Sequence, residues 1–328
     1  MQNKQTYYRL VSLWVVCEAL LGGIIHGLKL PVSGLIVGGS AVICICMIAY
    51  YYPVRGAIIK ATIIVAIFKM MLSPQSPFPA YIAVFFQGLV AEAIFVNKRT
   101  FRLNCILLGV IALFESGIQR ILVMTIVFGM DIWKAIDIFI SGITNDKAPA
   151  RYSYYIAISY VSMHIVIGFF IGWFAGKIPG KIKSEGDFEL IDLTSGAKNL
   201  NNGFHKSKKR KIIFQVIWIM LSLLFLHALF YPQHAFIPSN IILKLLLRSI
   251  LIILTWMIVI NPLLIKFLHR WLEKKKTSSQ NDIQQIVLLL PSTQYLVKKS
   301  WSLSSKKRGL SRLSSFFKIV FYNSLRNE

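Results

Sequence analysis

The sequence predicts an all-α fold, a polytopic transmembrane helix bundle of about eight spans: a six-helix module, a two-helix hairpin and amphipathic cytoplasmic helices at the C-terminal end. Three observations carry that expectation. Hydrophobic residues make up 55% of the chain against 15% charged, an excess over ordinary globular composition. The apolar residues fall in runs of about 20, the length that crosses a hydrocarbon core about 30 Å thick. Lys and Arg, 37 against 13 Asp and Glu, concentrate in every second connection, as cytoplasmic loops require. That asymmetry accounts for the net charge of +24 without a nucleic-acid partner, and no nucleic-acid motif accompanies it.

The runs lie near residues 10–27, 32–50, 56–72, 79–96, 103–129, 152–176, 212–230 and 241–266. The first follows Lys4 and Arg9 in the manner of a signal peptide, but no small-x-small cleavage site comes after it, so it reads as a retained helix. The third is short and contains Lys60 and Lys69. Between the third and fourth, "SPQSPFP" predicts a stiff turn joining two helices, because Pro74, Pro77 and Pro79 fix φ and supply no amide hydrogen. The basic connections are the Lys4/Arg9 end, Arg55, Lys98/Arg99/Arg102, "KIPGKIK" through "HKSKKRK", and everything after Lys266. They alternate with "GLKLP", "SPQSPFP", the segment around 131–150 and "YPQHAFIPSN". The alternation predicts a multi-pass cell-membrane protein with both termini in the cytoplasm.

Composition along the chain divides it into the six-helix module 1–177, a basic cytoplasmic linker 178–211, the hairpin 212–266 and a basic amphipathic tail 267–328. In the tail Ile283, Ile286, Val287 and Leu290 share one helical face, and Leu310, Leu313, Phe317 and Val320 another. Lys298, Lys299, Lys306, Lys307, Arg308 and Arg312 lie between them, a pattern suited to anionic lipid. Cys17, Cys44, Cys46 and Cys105 sit in apolar runs with no CxxC pair and no Cys/His metal spacing, so they read as packing residues, with neither metal nor cofactor expected.

Charged groups within spans cost about 2.5–3.5 kcal/mol on insertion scales and mark function by default. Lys60 lies near the inner boundary at the depth of Glu92, which predicts a structural ion pair. Lys69 and Gln87, with Ser73, Gln75 and Ser76, outline a polar pocket opening outward. Its floor is assigned to Glu115 and Gln119, four apart on one face of "LFESGIQRIL". Arg120, rotated from Glu115 by about 140°, needs another partner. Glu18 and His164 fall at similar depth, so Arg120 with Glu18 and Glu115 with His164 are the pairs the spacing offers. The candidate substrate-binding set is therefore Lys69, Gln87, Glu115, Gln119, Arg120 and His164, with a buried structural network as the alternative. Lys244 and Arg248, one turn apart, suit a lipid phosphate. Ala19, Gly23 and Gly27 step by four along the first helix, and Gly34 and Gly38 along the second. Such spacing allows close approach of helices, within the chain or from another membrane subunit.

Over residues 1–177, the six helices, the small-residue first helix "ALLGGIIHG" and the outer loops beside polar helix ends resemble the substrate-binding S component of energy-coupling factor transporters. The resemblance implies capture of a vitamin, a precursor or a metal ion from outside, with transport driven by a separate membrane coupling subunit and two cytoplasmic ATPases. It also implies docking through Ala19, Gly23 and Gly27. The His-rich N-terminal site of the nickel and cobalt members is absent, which argues against those ions. The two extra spans and tail loosely resemble the coupling subunit, to whose Ala-Arg-Gly motif "KKRGLSR" is the nearest string. HExxH, GxSxG and Walker sequences are all missing, so the chain is not expected to be an enzyme. Two other readings stay open: a membrane-embedded enzyme on a lipid or isoprenoid-like substrate using Glu115, His164 and Arg120, and a membrane scaffold acting through its tail.

Overall fold

Helix is the only regular structure among the described residues of the computed structural model, which are 4–22, 33–73, 76, 78–97, 100–144, 151–184, 191, 243, 250, 252 and 261–326. The chain divides into two compact units. The first comprises Met1–Ser116, His164–Gly203 and Phe267–Glu328; the second comprises Gly117–Met163 and Phe204–Lys266.

In the first unit, α1 (Lys4–Val15) is the central helix. From Tyr7 onward nearly all its side chains are buried, Leu10, Val11, Trp14 and Val15 completely so. A helix buried this completely beyond its first turn needs cover from several neighbours. That cover comes from α2 (Ser33–Tyr51), α3 (Ala57–Leu72), α9 (Gln280–Leu303) and α10 (Gly309–Arg326). Beyond Val15 the chain widens into a π-helical turn, Val16–Leu21, which packs on α2 and α3. α3 and α4 (Phe78–Ile94) pack together, giving the expected helix, short connection and returning helix, with Pro79 in the first turn of α4 where its missing amide is harmless. Pro74, Gln75 and Pro77 lie outside the described residues.

Three of the described helical stretches are long and apolar enough to cross a membrane: Gly34–Tyr51, Phe101–Phe128 and Tyr152–Ile182. The apolar helix Phe78–Ile94 is shorter. α5 (Phe101–Phe128) and α7 (Tyr152–Ser184) meet where both lack side chains. A Cβ placed on Gly168 would fall 2.5 Å from the Gly109 carbonyl oxygen, and one on Gly172 would run into the Cys105 carbonyl. One turn further, a Cβ on Gly176 would lie 3.2 Å from Arg102 Cα. This four-residue seam in "IGFFIGWFAGK" brings two antiparallel backbones into contact. α7 continues through Pro179 to Ser184, past residue 177 where the sequence suggests a linker. Ile178 and Ile182, one turn apart, are buried in the core and hold that extra length.

The C-terminal segment, expected as a cytoplasmic tail, is also packed. α9 lies along α1, where the Tyr8 hydroxyl donates to Asp282 Oδ1 at 2.6 Å and Ser12 Oγ meets Thr293 Oγ1 at 2.8 Å. Ile283, Ile286, Leu290 and Val320, expected on free amphipathic faces, are buried, while Val287 and Leu313 remain exposed. α10 adds Asn323, whose Oδ1 accepts from the Ile191 amide at 2.8 Å. α8 (Asn261–Ser278) brings Trp271 onto the Phe85 ring at 5.8 Å.

The Lys60–Glu92 pair is corrected. Lys60 bonds Asp282 Oδ2 at 2.6 Å, and Glu92 instead accepts the Gly56 amide at 2.6 Å and the Ile59 amide at 3.4 Å. The depth match holds, but the first turn of α3 has orphan amides that favour an anion, and these take the carboxylate.

In the second unit, α6 (Asp131–Thr144) is attached to α5 by a hydrogen bond from Trp133 Nε1 to Thr125 Oγ1 at 3.1 Å. Asp137 of α6 accepts from the Ser153 amide at 2.6 Å and its hydroxyl at 3.0 Å, capping the start of α7.

Candidate functional site

The base of α1 is fixed to the base of α3 by the Tyr7 hydroxyl, which donates to the Ala57 carbonyl at 3.1 Å. The two helices rise together from that level. Glu18 lies eleven residues beyond Tyr7 and Lys69 twelve beyond Ala57, about 17–18 Å up in each case. The side chains meet there, with Lys69 Nζ 2.5 Å from Glu18 Oε1. Lys69 is 0% exposed and Glu18 4%. The ammonium also donates to the Ala80 carbonyl at 3.2 Å and lies 5.7 Å from the centre of the Tyr81 ring.

Glu18 reaches this position from the π-helical turn, where the Gly22 amide donates back to Cys17 and Ala19. An inserted residue of this kind re-aims a side chain without ending the helix, and π turns recur at functional sites. The pairing removes Glu18 as a partner for Arg120. It also places Lys69 inside the protein instead of reaching outward to the membrane surface. Ser73 and Ser76 are buried above it, with Ser76 Oγ donating to Ser73 Oγ at 3.0 Å.

Gln87 lies seven residues beyond Ala80 on the returning helix, so it sits about 10 Å deeper than the Lys69 ammonium. It is buried against Gly38, where an added Cβ would fall 3.2 Å from Gln87 Nε2. Its Oε1 has no hydrogen-bond partner among the described residues. The two groups therefore mark two levels of a column within the first unit, about 10 Å apart. One turn from Gly38, Gly34 faces Ser116.

Glu115 makes no ion pair with His164. Its Oε2 is buried without a partner among the described residues, while His164 is buried and has an interaction of its own. A shared depth, readable from sequence, does not imply a shared azimuth. Glu115 and His164 belong to the first unit, Gln119 and Arg120 to the second. Gln119 is engaged, and Arg120 is exposed. Of the small residues assigned to docking, Ala19 is buried, and Gly23 and Gly27 lie outside the described residues, as do Lys244 and Arg248.

All four cysteines are buried and free. No three His, Cys, Asp or Glu side chains converge as metal ligands among the described residues. Besides the Glu18–Lys69 pair, the Gly168/Gly172/Gly176 seam and the Tyr8–Asp282–Lys60 cluster are contacts that sequence reasoning missed. The seam had a signal in its four-residue spacing; the cluster, between residues more than 200 apart, had none. No protein-family model, curated protein or solved structure matches the chain.

Proposed function

We propose that residues 1–177 form the substrate-capturing subunit of an energy-coupling-factor-type uptake transporter. Its cargo is a small molecule such as a vitamin or a vitamin precursor. The chain spans the cell membrane about eight times with both termini in the cytoplasm, the orientation that the Lys/Arg asymmetry supports.

The observation that carries this reading is the unused hydrogen-bonding capacity deep in the first unit. Lys69 has three ammonium protons and two acceptors, and Gln87 Oε1 has no donor among the described residues. A bundle selected for stability alone does as well or better with apolar residues in place of a buried ion pair. Polar groups kept within a membrane interior serve binding or translocation. Two levels about 10 Å apart suit an elongated ligand with an acceptor toward Lys69 and a donor toward Gln87. With no Walker sequence in the chain, ATP hydrolysis falls to cytoplasmic ATPases, reached through a membrane coupling subunit. The exposed basic groups of the tail rest on anionic lipid.

The test begins with mass spectrometry of small molecules retained by the purified protein, followed by calorimetric titration of the retained compound. Gln87→Ala should weaken binding about ten-fold, the effect of losing about 1.4 kcal/mol. Lys60→Ala, whose side chain is 48% exposed beside Asp282, should leave affinity unchanged. Equal affinities for wild type and Gln87→Ala would remove Gln87 from the site and with it this reading of the column.

A further inference from the structure

The second unit carries an open groove of about 510 Å³ between Ile140 of α6 and Tyr155, Ile156, Ser159, Tyr160 and Met163 of α7. That volume lies within the roughly 300–1,000 Å³ of small-molecule sites. The second unit is apolar on its outside: Tyr154, Ile156 and Ile158 on α7, and Leu122, Val123 and Ile126 on α5, are all exposed. A membrane-crossing helix with such a surface looks into lipid.

Arg120 adds a charge to this unit. It is exposed and has no ion-pair partner among the described residues, and the antiparallel pairing of α5 with α7, Gly109 against Gly168, sets it level with the groove residues near 157. Its depth follows from length. α5 has 28 residues, about 42 Å against a hydrocarbon core of about 30 Å, which leaves about 6 Å beyond the core at each end if the helix is centred. Arg120 lies eight residues before Phe128 and so about 6 Å inside the boundary, within reach of the headgroup level for a long side chain. α6, which follows at that end, alternates apolar and polar residues with helical period, as a helix lying in the interface does.

We infer that the second unit binds a phospholipid of the surrounding bilayer, with its phosphate on Arg120 and one acyl chain in the α6–α7 groove. A guanidinium fork matches two phosphate oxygens. An acyl chain needs no hydrogen-bond partners from an aromatic and aliphatic wall, whereas a peptide in the same place would leave backbone groups unsatisfied. The site shares no residue with the Lys69–Gln87 column, so either assignment can fail alone.

The test uses the full-length protein in detergent with 1-palmitoyl-2-oleoyl phosphatidylglycerol, read by native mass spectrometry, and a phosphatidylglycerol carrying a photoreactive group in its acyl chain. Arg120→Gln should reduce retention about ten-fold. Ser159→Trp, at an exposed position, should fill the groove and abolish acyl-chain crosslinks to Ile140 and Tyr155. Diacylglycerol with the same chains should bind wild type no better than phosphatidylglycerol binds Arg120→Gln. Equal retention by wild type and both variants, crosslinks outside α6 and α7, equal binding of diacylglycerol, or displacement by millimolar inorganic phosphate would each overturn the assignment. Should Arg120→Gln fail to fold, the Ser159→Trp crosslinking pattern and the diacylglycerol comparison decide it.

Discussion

Lys69 carries its ammonium into the buried interior, where a lone charge costs several kcal/mol, and Glu18 supplies the opposite charge. Removing one partner leaves the other buried and unpaired. Lys69→Ala should therefore lower stability by about 3–5 kcal/mol, read from thermal unfolding in detergent. The double variant Glu18→Gln/Lys69→Met removes both charges and should recover most of that loss. If the double variant were no more stable than the single, the pair would be unlinked. Sequence marks Glu18 and Lys69 as intramembrane polar groups but does not join them. Counting the first helix from residue 10 sets Glu18 too shallow for Lys69, whereas α1 begins at Lys4 and is level with α3 at Tyr7 and Ala57. The helix starts set the two opposite charges at equal height, and the packing of the π-helical turn on α3 brings them face to face.

Gly168, Gly172 and Gly176 act as one element. Their absent side chains let α7 approach α5 until backbone meets backbone at Gly109 and Cys105. Gly172→Leu places a branched side chain on the Cys105 carbonyl, and it should cost at least the roughly 1–3 kcal/mol of ordinary overpacking. Gly180 is the control, because a Cβ there meets nothing within 4 Å. Gly180→Ala should be neutral or stabilising by up to about 1 kcal/mol, since it removes a helical glycine. Equal unfolding temperatures for Gly172→Leu and wild type would mean that the helices do not cross there. The four-residue step is as legible in "IGFFIGWFAGK" as in "ALLGGIIHG". A period names the face that can pack closely, but not the helix it will meet.

Across the whole molecule, the two ends of the chain join in one unit. Asp282 is held by Tyr8 from α1 and Lys60 from α3. The Lys60 contact, half exposed, is worth at most about 1 kcal/mol. The buried Tyr8 hydrogen bond to a charged acceptor carries more, about 1.5–3 kcal/mol. Burial pushes the Asp282 carboxyl up, but the hydrogen bonds from Lys60 and Tyr8 outweigh it, so it titrates below its ordinary 3.8. A carboxyl whose folded value is depressed stabilises the fold fully above the ordinary value, and that contribution is lost as pH falls through the folded one. Hydrogen exchange in 280–303, corrected for intrinsic rate, should rise as the pH drops below about 4. Asp282→Asn should exchange faster already at neutral pH and lose this acid step. An unchanged acid step in Asp282→Asn would move the cause elsewhere.

Apolar run lengths, proline positions and glycine spacing determined from sequence that the chain is helical, where α2 to α5 lie, and that helices able to cross a membrane are present, because these depend on local hydrogen bonding and on residue-by-residue transfer to an apolar phase. The tertiary structure alone decided the partners. Depth along a helix is a count of residues, but azimuth depends on which neighbours cover each face. A central helix buried on all sides had to recruit α9 and α10, and with them Asp282 displaced Glu92 as the partner of Lys60.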